Sequence, residues 1–450
     1  MPDLPQRISS QEYHEGIFDA LREQDERVYE LIAREYDRLH NTLQLIAAEN
    51  QCSRAVIAAL GSILQNKTTE GFPGARYHGG CEVVDDAERL AVDRAKETFG
   101  ARYANVQPHS GTNANQIVIA ALLQAGDRIL SLGLDQGGHL SHGARVAFTG
   151  KFFNIENYCL NRETFLLDYD AIRQQAISFR PKLIVCGASA YSRVIDFSKF
   201  RKIADEVGAY LLADISHIAG LVIAGVHPSP IDQAHFTTTS TYKPGGPRGG
   251  LILMGRDHDS RITVAGKTLT LSAHIQKTTF PGMQGTPYLN NVAAKAVFFR
   301  ETLSDEYRAW QVRIVENAKN LADNLLDLGH DVLTGGTDTH MILVNVTTLQ
   351  KDMTGVAAQQ GLEDCGIIVN KNGLPFDKKG AAVASGIRLG TPIVTRNGMG
   401  AEQMSVIADL VDATLRAVHV GNDGRYRIDE STRNDIRAKV RNLCQKYPIR

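Results

Sequence analysis

Residues 237–250 read Thr-Thr-Thr-Ser-Thr-Tyr-Lys-Pro-Gly-Gly-Pro-Arg-Gly-Gly and run into the apolar stretch Leu251 to Met254. A hydroxyl-rich run enters a sheet, delivers Lys243 at its end, turns through glycine and proline, and returns as a strand. Hydroxyls that enter a sheet core need hydrogen-bond partners, because leaving them unpaired is costly. A lysine at the end of such a run points to carbonyl or phosphate chemistry. The plainer alternative is a surface lysine beside a glycine turn. Upstream, Leu-Leu-Ala-Asp-Ile-Ser-His (211–217) places the carboxylate of Asp214 at the end of a second apolar strand. A strand-end acid and a strand-end lysine form the pair that a pyridoxal phosphate (PLP) site needs. The acid keeps the pyridine nitrogen protonated, and the lysine forms the Schiff base.

Outward from this pair the pattern alternates. Strands are expected over 128–134, 182–186, 209–215, 236–241 and 250–254, with a helix over 197–207. Continuous apolar strands alternating with helices predict an α/β fold, with a mostly parallel sheet covered on both faces. Ligands in such sheets sit at the strand carboxyl ends, where Ser189, Asp214, His217 and Lys243 fall. Helical spacing is also read over 23–39, 53–64 (with Ser53 as N-cap), 85–99 and 109–123. The loop Asn-Lys-Thr-Thr-Glu-Gly-Phe-Pro-Gly-Ala-Arg-Tyr-His-Gly-Gly-Cys (66–81) has too much glycine and proline for regular structure. It carries Glu70, Arg76, Tyr77 and His78, a content that suits function.

Three features leave two readings each. His109-Ser-Gly-Thr-Asn opens a helix either as a phosphate cradle or as an ordinary cap. His139 and His142 suggest a metal, yet no third ligand stands at a recognisable spacing and no metal is expected; a ring positioned to stack on a flat cofactor is the alternative for His139. Arg388, flanked by Ile387 and Leu389, needs an anion, either a substrate carboxylate or a structural acid. In the C-terminal part, a long helix-prone run (293–328) leads to strands at 341–346 and 366–369 and helices at 355–364, 402–418 and 430–444.

Composition sets the class. The 450 residues carry 43% hydrophobic and 22% charged side chains and a formal net charge of -1, values of an ordinary globular protein of two or three domains and not of a basic nucleic-acid binder. Six scattered cysteines form no Cys-x-x-Cys pair, so neither a disulfide framework nor a zinc site is expected. The first twenty residues read as a polar arm without a signal segment, and no apolar run spans a bilayer, so a cytoplasmic protein is expected.

The strings LIAAEN, EGFPGARYHGGCE, ANVQPHSGTNAN, GGHLSHG, PKLIVCGASAYSR, DFSKFRKIADEVGAYLLADISHIAGL, TTTSTYK, GPRGGLIL, FPGMQG, VNKN and SGIRLGTP follow one another in the order found in the serine hydroxymethyltransferase family, which the chain resembles along nearly its whole length. The resemblance implies a fold type I PLP enzyme with a mostly parallel seven-stranded sheet. It implies an N-terminal arm and helix (1–50), a large PLP-binding domain (51–300) and a small C-terminal α/β domain (301–450). It assigns the Schiff base to Lys243, the pyridinium partner to Asp214 and ring stacking to His139. Phosphate binding falls to Ser110, Gly111 and Thr112, with Gly285 contributed by the partner subunit of a homodimer (possible also in a tetramer). Ser189 and His217 bond the region of the cofactor's phenolic oxygen, Arg388 clamps the substrate carboxylate, and Glu70 is the acid/base group. Glu70, Tyr77, Leu134, Gly138, Leu140, Phe280 and Asn372 match the tetrahydrofolate-binding positions.

The departures from the family pattern cluster around the substrate. Ala48 stands where the family has Ser, Thr68 and His78 stand where it has Tyr, and Tyr242 replaces the His before the lysine. The loop after Lys243 is one residue shorter, and Gly285-Thr286 replaces Gly-Gly. Tyr to Thr and Ser to Ala remove volume and hydroxyls, which suits a substrate with an additional group on its α carbon. The expected reaction is therefore reversible retro-aldol cleavage of 2-methylserine to D-alanine and 5,10-methylenetetrahydrofolate. An ordinary serine/glycine hydroxymethyltransferase and a folate-independent aldolase or transaldolase are the alternatives.

Overall fold

The computed structural model describes residues 15–350, 352–421 and 425–449. Seven strands form the main sheet: β1 (Tyr103–Asn105), β2 (Arg128–Leu132), β3 (Asn154–Tyr158), β4 (Leu183–Cys186), β5 (Tyr210–Asp214), β6 (Phe236–Ser240) and β7 (Gly250–Met254). Their order is β1-β7-β6-β5-β4-β2-β3, and only β7 runs antiparallel to its neighbours. The expected α/β fold with a mostly parallel sheet is thus present.

Burial explains the continuous apolar strands. Leu211, Ala213, Ile184, Leu251 and Leu253 pack into one core, whereas Leu212, Leu183, Val185, Ile252 and Met254 pack into another. Alternate residues of a strand point to opposite faces, so both faces of the sheet are covered. The hydroxyls of the strand into Lys243 mostly find partners. Thr238 donates to Asn115 Oδ1, Thr239 to the Ser240 carbonyl and Thr241 to the Pro247 carbonyl, while the Thr237 hydroxyl is buried without one.

A further core contains Leu321, Leu325, Ile342, Ile387, Leu389 and Val411, and it also takes Leu43 and Leu45 from near the N-terminus. Leu43–Gln44 pairs in parallel with Ile367–Ile368. A four-stranded antiparallel sheet stands beside it, with Arg388 on the strand Gly386–Gly390 between Met341–Asn345 and Asn370–Asn372. Helix Asp305–Asp327 joins the two regions, giving Trp310 and Ile314 to the core under the main sheet and Leu321 and Leu325 to the C-terminal one.

Several expected boundaries shift. The helix after Ser53 stops at Leu60, short of 64, although Ser53 caps it by accepting from the Val56 amide at 3.2 Å. The run 293–328 is two helices, Leu289–Thr302 and Asp305–Asp327, because Ser304 caps the second. The loop 66–81 is not wholly irregular: Gly71–Phe72 and Ala75–Arg76 form a two-residue hairpin, held by Gly71 at φ 98, where an added Cβ would meet the Ala75 carbonyl at 2.3 Å. The expected helix over 23–39 is two helices, Ile17–Gln24 and Glu26–Asn41. Residues 1–14 of the expected polar arm lie outside the described residues. Among the described residues no helix is long and apolar enough to cross a membrane.

Candidate active site

A cavity of about 210 Å³ opens at the carboxyl ends of β4, β5 and β6. Ser110, Gly111, Thr112, His139, Ser189, Asp214, His217 and Lys243 line it, so eight of the residues singled out in the sequence meet in one place. Ser110 caps helix Gly111–Leu122 by accepting from the Asn113 amide at 3.1 Å. The backbone amides of Gly111 and Thr112 are left with no partner inside the helix, as at any helix start. An added Cβ at Gly111 would lie 3.1 Å from the Ser240 amide nitrogen, so this helix end sits hard against β6.

Asp214 is buried and held by four donors. His142 Nε2 and Asn115 Nδ2 reach Oδ2 at 2.9 and 2.8 Å, while the Ser216 hydroxyl and amide reach Oδ1 at 2.6 and 3.0 Å. Burial alone would push this carboxyl up. The hydrogen bond and charge of His142, with the bonds from Ser216 and Asn115, hold it well below the usual carboxylate range. Asp214 is therefore ionised, the state a pyridinium partner needs. Sequence reading missed Asn115 and Ser216. Asn115, a buried polar residue one turn into the helix, was the signal available. His139, His142 and Asp214 have ligand atoms within 4.8 Å of one another. Hydrogen bonds account for this cluster, with His142 committed to Asp214 and His139 Nδ1 to the Ser141 hydroxyl at 2.8 Å.

Burial pushes the Lys243 ammonium down to about 8, with Asp214 opposing and Arg388 and Arg248 assisting. Its Nζ lies 3.3 Å from the Ser240 hydroxyl and 5.1 Å from the ring centroid of Tyr242, over which Arg248 also lies, at 4.4 Å. Burial also lowers His139 to about 4 and drives His217 well below the usual imidazole range, helped at His217 by the charges of Lys243 and Arg388. Both rings are neutral at neutral pH. His217 stacks on His340 at 5.8 Å, and its Nδ1 is buried without a partner.

Arg388 bears on one open alternative. Its Nη1 donates to the Ser189 carbonyl and its Nε to Asn370 Oδ1 at 3.0 Å. No carboxylate pairs with it among the described residues. Burial lowers it to about 10, which leaves it cationic at neutral pH. A half-buried cation with no structural acid beside it among the described residues can receive an anion from outside. An acid held ionised, a low-pKa lysine, a neutral ring and a helix start around one cavity fit PLP feature by feature.

The family model for serine hydroxymethyltransferase matches residues 21–411. The chain belongs to the serine hydroxymethyltransferase family. It is a PLP-dependent hydroxymethyltransferase, and enzymes of this family use tetrahydrofolate as co-substrate and act in one-carbon and amino-acid metabolism.

The remaining family positions fall into two groups. Ala48 belongs to the segment that runs past Lys243: His340 Nε2 lies 3.1 Å from the Ala47 carbonyl, and Asn50 Nδ2 donates to the Lys243 carbonyl at 2.9 Å. Gly138 flanks His139 with no room for a side chain, since a Cβ would lie 2.2 Å from the Leu132 carbonyl, and Leu134 and Leu140 stand exposed on either side. Asn372 pairs in register with Gly386. In contrast, Thr68, Glu70, Tyr77, His78, Phe280 and Gly285 do not line the cavity of their own chain. Four of them form contacts elsewhere: Tyr77 meets Phe280 edge-on at 5.5 Å, and Glu70 Oε1 lies 3.5 Å from where a Cβ of Gly285 would stand. Tyr77, Thr68 and His78 are exposed. Arg76, bridging the buried Asp85 and Glu88 and donating to the Thr69 and Gly71 carbonyls, fixes this loop.

Proposed function

We propose that this hydroxymethyltransferase acts on 2-methylserine, releasing D-alanine and passing the hydroxymethyl carbon to tetrahydrofolate as 5,10-methylenetetrahydrofolate, reversibly. The observation that carries the reading is the loss of volume and hydroxyls at Ala48, Thr68 and His78 while the PLP-fitting and folate-matching positions keep the family's residue types. Asn50, two residues after Ala48, donates to the Lys243 carbonyl, which supports a role for this segment near the substrate.

When bound, PLP supplies the sink for the electron pair of the broken Cα–Cβ bond. That cleavage removes no α hydrogen, so a methyl group in its place is compatible with it. In this reading Asp214 holds a proton on the pyridine nitrogen, and Lys243 Nζ gives and takes protons. Ser110, Gly111 and Thr112 cradle the phosphate, His139 lies over the ring, and Ser189 and His217 bond the phenolic-oxygen side. Arg388 holds the substrate carboxylate, and Glu70 moves the proton of the substrate hydroxyl. Tyr77, Leu134, Gly138, Leu140, Phe280 and Asn372 receive the folate. Glu70, Thr68, Tyr77, His78 and Gly285, all absent from the lining of their own chain's cavity, support a homodimer in which these residues of one protomer complete the cavity of its partner. Exposed Phe18, Leu31, Ile32 and Tyr36 on the first two helices supply apolar surface for such a contact. We assign residues 1–50 to an arm and helix, 51–300 to the PLP-binding domain and 301–450 to the C-terminal domain.

Incubating the purified enzyme with 2-methylserine, with and without tetrahydrofolate, tests the reaction. Alanine formed together with methylenetetrahydrofolate is expected. Alanine formed equally well without folate points to an aldolase, and turnover of serine alone to an ordinary serine hydroxymethyltransferase.

Thr68→Tyr should restore the missing volume and shift the kcat/KM ratio toward serine by about 10- to 200-fold, the span of one methyl-sized change in a pocket. An unchanged ratio counts against position 68 as the selector. The Lys243 pKa gives a pH dependence. Below about 8 the amine is protonated and lacks its lone pair, so PLP uptake by the cofactor-free protein should rise about tenfold per pH unit and level off above pH 8. Stopped-flow absorbance reads it; a midpoint near 10 means the amine is not perturbed.

A further inference from the structure

Lys295 lies on helix Leu289–Thr302 with 1% of its surface exposed. Its Nζ donates to the carbonyls of Val106 at 2.6 Å, Gly250 at 2.9 Å and Pro108 at 3.2 Å. A lysine ammonium has three donors, and all three end on backbone. The acceptors are particular: Val106 and Pro108 lie on the turn that delivers Ser110, and Gly250 opens β7, whose amide donates to the Pro108 carbonyl at 2.9 Å. Glycines make the room. A Cβ at Gly249 would lie 2.4 Å from Lys295 Cε, and one at Gly250 would lie 2.1 Å from the Ser110 carbonyl oxygen. Neither residue lines the cavity.

We propose that Lys295 is a positioning residue for the cofactor phosphate: its ammonium ties the Val106–Pro108 turn to β7 and so fixes Ser110, Gly111 and Thr112 where they receive the phosphate. The inference rests on the phosphate-cradle reading given above. Removing the ammonium takes a donor from all three carbonyls; Pro108 keeps the Gly250 amide, and the turn moves to satisfy the others.

The test compares binding of PLP and of pyridoxal, which lacks the phosphate, to cofactor-free wild-type protein and to Lys295→Met, by absorbance titration at a temperature where both are folded. The wild type should bind PLP far more tightly than pyridoxal. Lys295→Met should lose about 10- to 100-fold in PLP affinity with little change for pyridoxal. Gly249→Ala, which keeps the charge but displaces the ammonium, should show the same selective loss and serves if Lys295→Met does not fold. Equal losses for both ligands, or an unchanged ratio, overturn the positioning role. A wild type that does not distinguish the two ligands overturns the cradle reading itself.

Discussion

Lys243→Ala should abolish hydroxymethyl transfer, lowering kcat by at least about 10³-fold, and should remove the near-visible absorption band of the purified protein. The reason is specific to this lysine. Its amine is buried and its pKa is reduced to about 8. It sits in the same cavity as an aspartate held ionised by four hydrogen-bond donors. Lys295 is more deeply buried and spends all its donors on carbonyls, so Lys295→Met should leave the Lys243 amine in place. A Lys243→Ala variant with more than a few per cent of wild-type turnover contradicts the assignment.

Arg388→Ala should raise KM for the amino acid by a factor corresponding to about 2–5 kcal/mol, the cost of removing one partner of a buried charge pair. Arg388→Lys should recover only part of this, because lysine is a point charge and cannot reproduce the planar fork. The effect follows from an imbalance in the protein itself. Arg388 is half-buried on a central strand, bonded to Ser189 and Asn370, and lacks a carboxylate among the described residues. A carboxylate-free analogue such as an amino alcohol should bind wild type and Arg388→Ala alike. If KM for the amino acid is unchanged in the variant, the anion that Arg388 holds is not the substrate.

The sequence showed the parts of the site that sit on strand ends. Asp214 and Lys243 terminate or follow β5 and β6, whose apolar or hydroxyl runs are continuous, so their positions were readable from pattern alone. Partners that converge from elsewhere were not. Asn115 reaches Asp214 across 99 residues, and Lys295 reaches Val106 across 189. Nothing local marks such pairs. Edge strand β3 escaped because Asn154, Glu156 and Asn157 face outward and break the apolar run. The separation of Glu70, Thr68, Tyr77 and His78 from the Lys243 cavity was likewise invisible, since those residues lie in a chemistry-rich loop that the resemblance alone had placed beside the substrate. Arg388 shows the complementary case: the sequence demanded an anion, and only packing showed that no carboxylate pairs with it among the described residues.

The substrate is the central claim, and direct competition tests it. Equimolar serine and 2-methylserine are given together to the enzyme with limiting tetrahydrofolate, and glycine and alanine are counted by mass spectrometry. Their ratio equals the ratio of the two kcat/KM values, free of differences in enzyme loading. The account predicts alanine in excess by at least about tenfold. Glycine in excess would contradict it and return the enzyme to the ordinary serine reaction.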